Sequence, residues 1–134
     1  KEYYQISCDG GVDIGCDLLG FMYQEGTGGA IDYKKAQEFY QIACDRGYMV
    51  SCKNIGYLYQ YVLGDQPDYK KAKEYYQIAC DGDNIFACSF LGYLYEQGFG
   101  VPQDKAMAIK YHRKACKNDK GITSSCIFVY NSER

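Results

Sequence analysis

Apolar residues recur along the chain at spacings of three and four, and this pattern repeats every 36 residues. The segment EYYQISC at residues 2–8 returns as EFYQIAC at 38–44, as EYYQIAC at 74–80 and, more loosely, as KYHRKAC at 110–116. A second segment, LGFMY at residues 19–23, returns as IGYLY at 55–59 and as LGYLY at 91–95. Helical spacing that recurs with a fixed period is typical of stacked helix pairs, so an all-α solenoid is predicted.

Each repeat is predicted to contain a shorter and a longer helix. The shorter helices are expected at about residues 16–25, 52–61 and 88–97, each ending at a glycine that can adopt the left-handed conformation: Gly26, Gly64 and Gly98. The longer helices are expected to begin at aspartates that cap the free amides of the first turn: Asp32, Asp68 and Asp104. One domain, residues 1–134, then divides into a partial repeat 1–15, repeats 16–51, 52–87 and 88–123, and a partial repeat 124–134.

A glycine occupies the middle of every shorter helix, at Gly20, Gly56 and Gly92. Since a glycine inside a helix costs about 1 kcal/mol relative to alanine, its return at one repeat position predicts close approach of a neighbouring helix. Small residues on the longer helices supply a matching surface: Ala36, Ala72 and Ala108. The tyrosines three positions after each glycine are expected to lie in the core: Tyr23, Tyr59 and Tyr95.

Eight cysteines pair by spacing: Cys8 with Cys16, Cys44 with Cys52, Cys80 with Cys88, and Cys116 with Cys126. The first cysteine of each pair ends a longer helix and the second opens the next shorter helix, and a tight antiparallel turn brings such ends within disulfide distance. Zinc is the rival explanation, but the chain has no Cys-x-x-Cys and one histidine, so no metal is predicted. Four disulfides indicate an oxidising compartment, so a secreted or periplasmic protein, seen here without its leader, is expected.

Charge and hydropathy exclude two classes of partner. The net charge is −2 with acidic and basic residues interspersed, and no basic stripe could neutralise phosphates, so nucleic acid is not an expected partner. No apolar run approaches the roughly 18 residues that span a bilayer, so membrane insertion is not expected either. No cofactor is predicted.

Together these motifs resemble a known family. The pattern Leu-Gly-x-x-Tyr, a glycine-rich turn and Asp-x-x-x-Ala-x-x-x-Tyr-x-x-Ala-Cys is similar to the Sel-one-like repeat (SLR), a branch of the tetratricopeptide superfamily. The cysteine pair in each repeat is similar to the Helicobacter cysteine-rich proteins. The resemblance covers essentially the whole chain and departs at the shortened first helix and at residues 127–130, which lack the glycine motif. It implies a right-handed stack of helix pairs with a concave inner face, and it associates the chain with penicillin binding and weak β-lactamase activity.

The sequence carries no recognisable machinery for that activity. A serine β-lactamase needs Ser-x-x-Lys with Ser-Asp-Asn and Lys-Thr-Gly, none of which occurs, and a metallo-type site needs several histidines, whereas His112 is alone. His112 occupies the repeat position of Tyr40 and Tyr76 and is predicted to be a packing residue. No catalytic residue is assigned, and a penicillin-binding protein with weak hydrolase activity remains an alternative that only the resemblance implies.

One aromatic position lies on a different face from the predicted core tyrosines: Phe21, Tyr57 and Tyr93. Core packing and ligand binding explain this row equally well. On the same face we expect Asp17, Lys53 and Ser89 one turn earlier and Gln24, Gln60 and Glu96 one turn later. Asn54 adds an amide able to hold a peptide backbone. The prediction is a monomeric scaffold that binds an unidentified protein or peptide through its concave face; an assembly factor of an oxidising organelle space would differ only in location.

Overall fold

The computed structural model describes residues 1–117 and 124–133, which form eight helices. Each helix packs against the next one along the chain, and no strand occurs within the described residues. The helices are α1 (Glu2–Asp9), α2 (Asp13–Glu25), α3 (Tyr33–Asp45), α4 (Met49–Tyr61), α5 (Tyr69–Asp81), α6 (Ile85–Gln97), α7 (Lys105–Lys117) and α8 (Ser124–Glu133). The architecture is the predicted stack of helix pairs.

Aspartates cap the helices that were expected to be longer. Oδ1 of Asp32 accepts a hydrogen bond from the Lys35 amide at 3.0 Å, and Asp68 and Asp104 make the same bond to the third residue of their helices. Each aspartate also donates its own amide to the carbonyl of the tyrosine nine positions earlier, over 2.9–3.0 Å. These bonds confirm the predicted N-caps, and they close the loop within each repeat.

The expected difference in helix length is wrong. Helices α2, α4 and α6 have 13 residues each, as do α3, α5 and α7. Helices α2, α4 and α6 begin three residues before Cys16, Cys52 and Cys88, where their starts were expected. Backbone hydrogen bonds close the preceding turns, for example from the Tyr48 amide to the Ala43 carbonyl at 3.0 Å, so the next helix can begin at once. Helix α4 ends at Tyr61, as predicted, but its C-cap is Val62 and not the expected Gly64. Val62 occupies the repeat position where Gly26 and Gly98 adopt the left-handed conformation.

The mid-helix glycines lie where helices of one repeat approach most closely. A Cβ atom on Gly56 would lie 2.6 Å from the ring of Tyr76 and 3.2 Å from the carbonyl oxygen of Ala72. Gly20 meets Tyr40 in the same way, and Gly92 meets the ring of His112 at 2.8 Å. The predicted close approach is confirmed, and the ring that each glycine accommodates is the physical reason for the missing side chain.

The fully buried tyrosines are Tyr40 and Tyr76, whereas Tyr23, Tyr59 and Tyr95 are only partly buried. The latter three, which were expected to lie in the core, pack against it from its edge. Each stacks on one ring of the following helix, namely Phe39, Tyr75 and Tyr111, at centroid distances of 5.7–5.9 Å. One ring covers one face only, so these stacked pairs form the edge of the core, and the rings opposite the glycines form its centre.

Four disulfides join consecutive helices at the turns between repeats. They link Cys8 to Cys16, Cys44 to Cys52, Cys80 to Cys88 and Cys116 to Cys126, with Cα atoms 4.5–4.9 Å apart. These are the local pairs that the spacing predicts. The bridges tie each α-helical pair to the next, which matters because a repeat in such a stack contacts only its neighbours.

Within the described part of the chain, no helix combines the length and the apolar character that crossing a membrane requires. Among the same residues, no group of three or more histidine, cysteine, aspartate or glutamate side chains is placed to hold a metal ion.

Candidate binding groove

Phe21, Tyr57 and Tyr93, here called the aromatic row, are exposed on α2, α4 and α6, with 49%, 38% and 40% of their surface accessible. Hydrogen bonds connect neighbouring helices of this layer. Ser51 on α4 donates to Asp17 on α2 at 2.7 Å, and the hydroxyls of Ser89 on α6 and Ser125 on α8 are hydrogen bonded to each other at 2.7 Å. The ammonium of Lys53 on α4 lies 5.8 Å from the ring of Phe86 on α6. Contacts therefore join α2 to α4, α4 to α6 and α6 to α8, and these helices form one layer that carries the aromatic row.

A polar cluster lies beside the first part of the row. Nδ2 of Asn54 donates to Oδ1 of Asp17 at 3.0 Å, and this carboxylate oxygen also accepts from Ser51. No described residue hydrogen bonds the amide oxygen of Asn54. Burial lowers the pKa of Lys53, although the charge of Asp17 opposes this effect. Asn54 and Lys53 thus offer an acceptor and a donor next to Tyr57.

The glutamines expected beside the row accept hydrogen bonds from buried tyrosines. The hydroxyl of Tyr40 donates to Oε1 of Gln24 at 2.8 Å, and that of Tyr76 donates to Oε1 of Gln60 at 2.6 Å. Burial raises the pKa of both tyrosines, which keeps each phenol protonated as a donor. A buried phenol needs an acceptor, and the glutamine one turn beyond the mid-helix glycine is within its reach.

In the third repeat the same two positions hold His112 and Glu96. Nε2 of His112 lies 3.2 Å from Oε1 of Glu96, and its Nδ1 lies 2.8 Å from Oγ of Ser125. A carboxylate only accepts, so Nε2 carries the proton and Nδ1 accepts from the serine. Burial lowers the pKa of His112, and the hydrogen bond and charge of Glu96 offset part of this effect.

Glu96, His112 and Ser125 follow the order carboxylate, imidazole and hydroxyl that acyl-transfer triads use. Their burial argues against that chemistry. Ser125 is 1% exposed and His112 is 4% exposed, so little of either side chain is accessible to an acyl substrate. The network agrees with the predicted packing role of His112, and the penicillin-binding alternative gains no support from it.

A pocket of about 530 Å³ opens at the α6–α8 end of the aromatic row. This terminal pocket is lined by Tyr61, Ser89, Phe90, Tyr93, Glu96, His112, Ser124, Ile127, Phe128 and Asn131. Only Tyr93 belonged to the predicted binding residues. The sequence does carry one signal for the site. Two repeat positions hold tyrosine and glutamine in the first two repeats, but histidine and glutamate, His112 and Glu96, in the third.

Comparison with known proteins identifies the repeat. The family model of the Sel1 repeat matches residues 14–48, 50–84 and 85–120. No curated protein matches the chain significantly. Among solved structures, a Sel1 repeat protein from Oxalobacter formigenes is similar, with a TM-score of 0.85 and 26% identity over 98% of this chain and 53% of that one.

Two further structures are similar. A protective antigen of uropathogenic Escherichia coli with an SLR fold has a TM-score of 0.80 and 29% identity over 86% of this chain. Helicobacter pylori cysteine rich protein B has a TM-score of 0.70 and 28% identity over 93% of this chain and 88% of its own length. This chain spans only 25% of the Escherichia coli antigen and about half of the Oxalobacter protein. The matches confirm the predicted fold class, a right-handed solenoid of helix pairs.

Proposed function

Because this chain belongs to the Sel1 repeat family, we propose that it is a monomeric extracytoplasmic scaffold that binds an extended peptide along its concave face. The observation that carries the proposal is the exposure of the aromatic row on three successive helices of one layer. Tyr57 contacts the ring of Tyr61 and Tyr93 contacts that of Phe99, yet each residue of the row keeps 38% or more of its surface in water. Contact with a partner would remove them from water and supply the driving force for binding.

The spacing of the row suits an extended peptide. Packed helices lie about 8–10 Å apart, and an extended chain of the polyproline II type rises about 3.1 Å per residue with three residues per turn. Every third side chain of such a peptide would therefore meet the next ring of the row. The amide oxygen of Asn54 can accept from a peptide N–H, and the ammonium of Lys53 can donate to a peptide carbonyl.

The disulfides support the location. Each closes a short loop, and in the chain-entropy model such a bridge contributes about 2–3 kcal/mol to stability. A thin stack that depends on four bridges suits a secreted or periplasmic setting, because cytosolic thiols are kept reduced. The similarity to the Helicobacter pylori cysteine rich protein points the same way.

Replacement of Tyr57 and Tyr59 by alanine tests the proposal. The two residues are on α4, but Tyr57 belongs to the row, while Tyr59 stacks on Tyr75 and accepts a hydrogen bond from Gln37. Peptides are first selected from a random library on the oxidised protein, and their affinities are measured by calorimetry. Tyr57→Ala should weaken binding by about ten-fold or more, as loss of a central aromatic usually does. It should change the free energy of unfolding by less than about 1 kcal/mol.

Tyr59→Ala is the matched control and should show the opposite pattern, with lower stability and unchanged affinity. Peptides that bind equally well to the Tyr57 variant would contradict the proposed groove. A Tyr57 variant as unstable as the Tyr59 variant would show that the row serves packing.

A further inference from the structure

The terminal pocket combines aromatic walls with one carboxylate. Tyr61, Phe90, Tyr93 and Phe128 contribute rings, and Glu96 contributes the acid. The Glu96 side chain is 31% exposed, so it is accessible from the pocket although its Oε1 holds His112. The first two repeats carry glutamine at this position, so the acid is specific to the end of the row.

The charge of Glu96 is not compensated by the groups that contact it. One of its oxygens accepts from Nε2 of His112 and the other from the side-chain amide of Gln97, both at 3.2 Å. The amide is neutral, and burial lowers the pKa of His112, which favours the neutral imidazole. No described lysine or arginine lies within 4.0 Å of this carboxylate. Lys105 lines a smaller pocket that Glu96 and Phe128 also border. A full negative charge therefore faces the pocket.

Aromatic rings strengthen the preference of such a site for cations. The face of a ring carries partial negative charge, and an ammonium or guanidinium group within about 6 Å of its centre is attracted to it. Tyr61 is 57% exposed and Tyr93 is 40% exposed, so both rings are available. The apolar stem of a long basic side chain can pack on Phe90 and Phe128 while its head reaches Glu96.

We propose that the terminal pocket binds a lysine or arginine side chain of the partner peptide. This proposal rests on the proposed function, because the aromatic row leads the peptide to the pocket through Tyr93. The pocket then sets specificity: it selects peptides with a basic residue at the end that reaches α6 and α8. A neutral side chain forms no ion pair with Glu96, and an acidic one is repelled by it.

A fragment titration tests the pocket without a peptide. N-acetyl-lysine methylamide and N-acetyl-norleucine methylamide, which share a chain of four methylene or methyl carbons, are titrated at equal ionic strength. Backbone amide shifts are followed by NMR. The lysine fragment should bind at least about five-fold more tightly than the norleucine fragment, with the largest shifts at Tyr93 and Glu96. This comparison uses the unaltered protein.

Two variants locate the interaction. Glu96→Gln introduces the residue found at Gln24 and Gln60, and it should reduce the affinity for the lysine fragment to that of norleucine. Lys105→Ala is the matched control and should retain or increase the preference for lysine. Equal affinities for the two fragments, a preference that survives Glu96→Gln, or shifts confined to another region would each overturn the proposal. Lysine binding in the pocket with no peptide bound along the row would instead overturn the proposed function alone.

Discussion

The hydroxyl of Tyr76 donates a 2.6 Å hydrogen bond to Oε1 of Gln60, and both side chains are buried where α5 meets α4. Tyr40 and Gln24 make the same bond one repeat earlier, and His112 and Glu96 take their places one repeat later. The pairs α2–α3, α4–α5 and α6–α7 thus each carry this polar contact within their interface. Buried polar contacts of this kind are costly to break because the remaining partner loses its hydrogen bond.

Removal of the Tyr76 hydroxyl should reveal this cost. Tyr76→Phe leaves Oε1 of Gln60 buried without its donor and should lower the free energy of unfolding by about 1–3 kcal/mol. Tyr75→Phe is the matched control, since its hydroxyl donates to Gln41 at a partly exposed site, and it should cost less. Urea denaturation with the disulfides intact measures both changes. Equal losses would contradict the special role of the buried pair.

A methyl group on Gly56 should destabilise the protein although alanine favours helices. The higher helix propensity of alanine would stabilise the protein by about 1 kcal/mol. The added Cβ, however, would overlap the ring of Tyr76 and press on the Ala72 carbonyl. Overpacking of this kind costs about 1–3 kcal/mol or more, so a net loss is expected for Gly56→Ala. The exposed replacement Lys70→Ala should stay within about 0.5 kcal/mol. An increase in the thermal midpoint of the Gly56 variant would refute the close-approach argument.

His112 should make stability depend on pH. Its pKa is lowered from 6.5 in the folded protein, so just below pH 6.5 the unfolded chain binds more protons than the folded one. The free energy of unfolding should therefore decrease as the pH drops below about 6.5, by at most about 1.4 kcal/mol per pH unit. Above that pH, His112 is neutral in both states and contributes no slope.

His112→Tyr provides the control because it introduces the residue of the other repeats, which does not titrate in this range. Denaturation at pH values from 5 to 7.5 should give a smaller slope for this variant than for the original protein. Identical slopes would show that other groups cause the pH dependence.

The cysteines should be inert until they are reduced. None of the eight thiols should react with an alkylating reagent in the native protein, and peptide mapping should recover the four local pairs. Replacing the central pair by Cys44→Ala and Cys52→Ala should lower stability by about 2–3 kcal/mol. A free thiol, or a disulfide between distant repeats, would contradict the four local disulfides.

Local features were predictable because their causes lie within a few residues in sequence. Asp32 and its counterparts cap helices through amides three positions away, and Cys44 and Cys52 meet across a three-residue turn. The assignment of Gly64 as the capping glycine of α4 was wrong, because the choice followed the conformational preference of glycine, while the repeat position of Gly26 and Gly98 belongs to Val62. The 36-residue period therefore locates the cap of α4 better than the position of the nearest glycine does.

The sequence by itself determined the all-α repeat, the capped starts of α3, α5 and α7 and the cysteine pairs, since periodicity, capping and short loops are local properties. Only the tertiary structure decided which aromatic rings are buried. Three tyrosines have the same side chain but different surroundings. Tyr57 is exposed, Tyr59 stacks at the edge of the core, and Tyr76 fills the space above Gly56. Likewise, Ser89, Ser125, His112 and Glu96 meet only because α6, α7 and α8 pack together. Contacts across helices depend on how those helices pack, and the pattern along one helix does not contain that information.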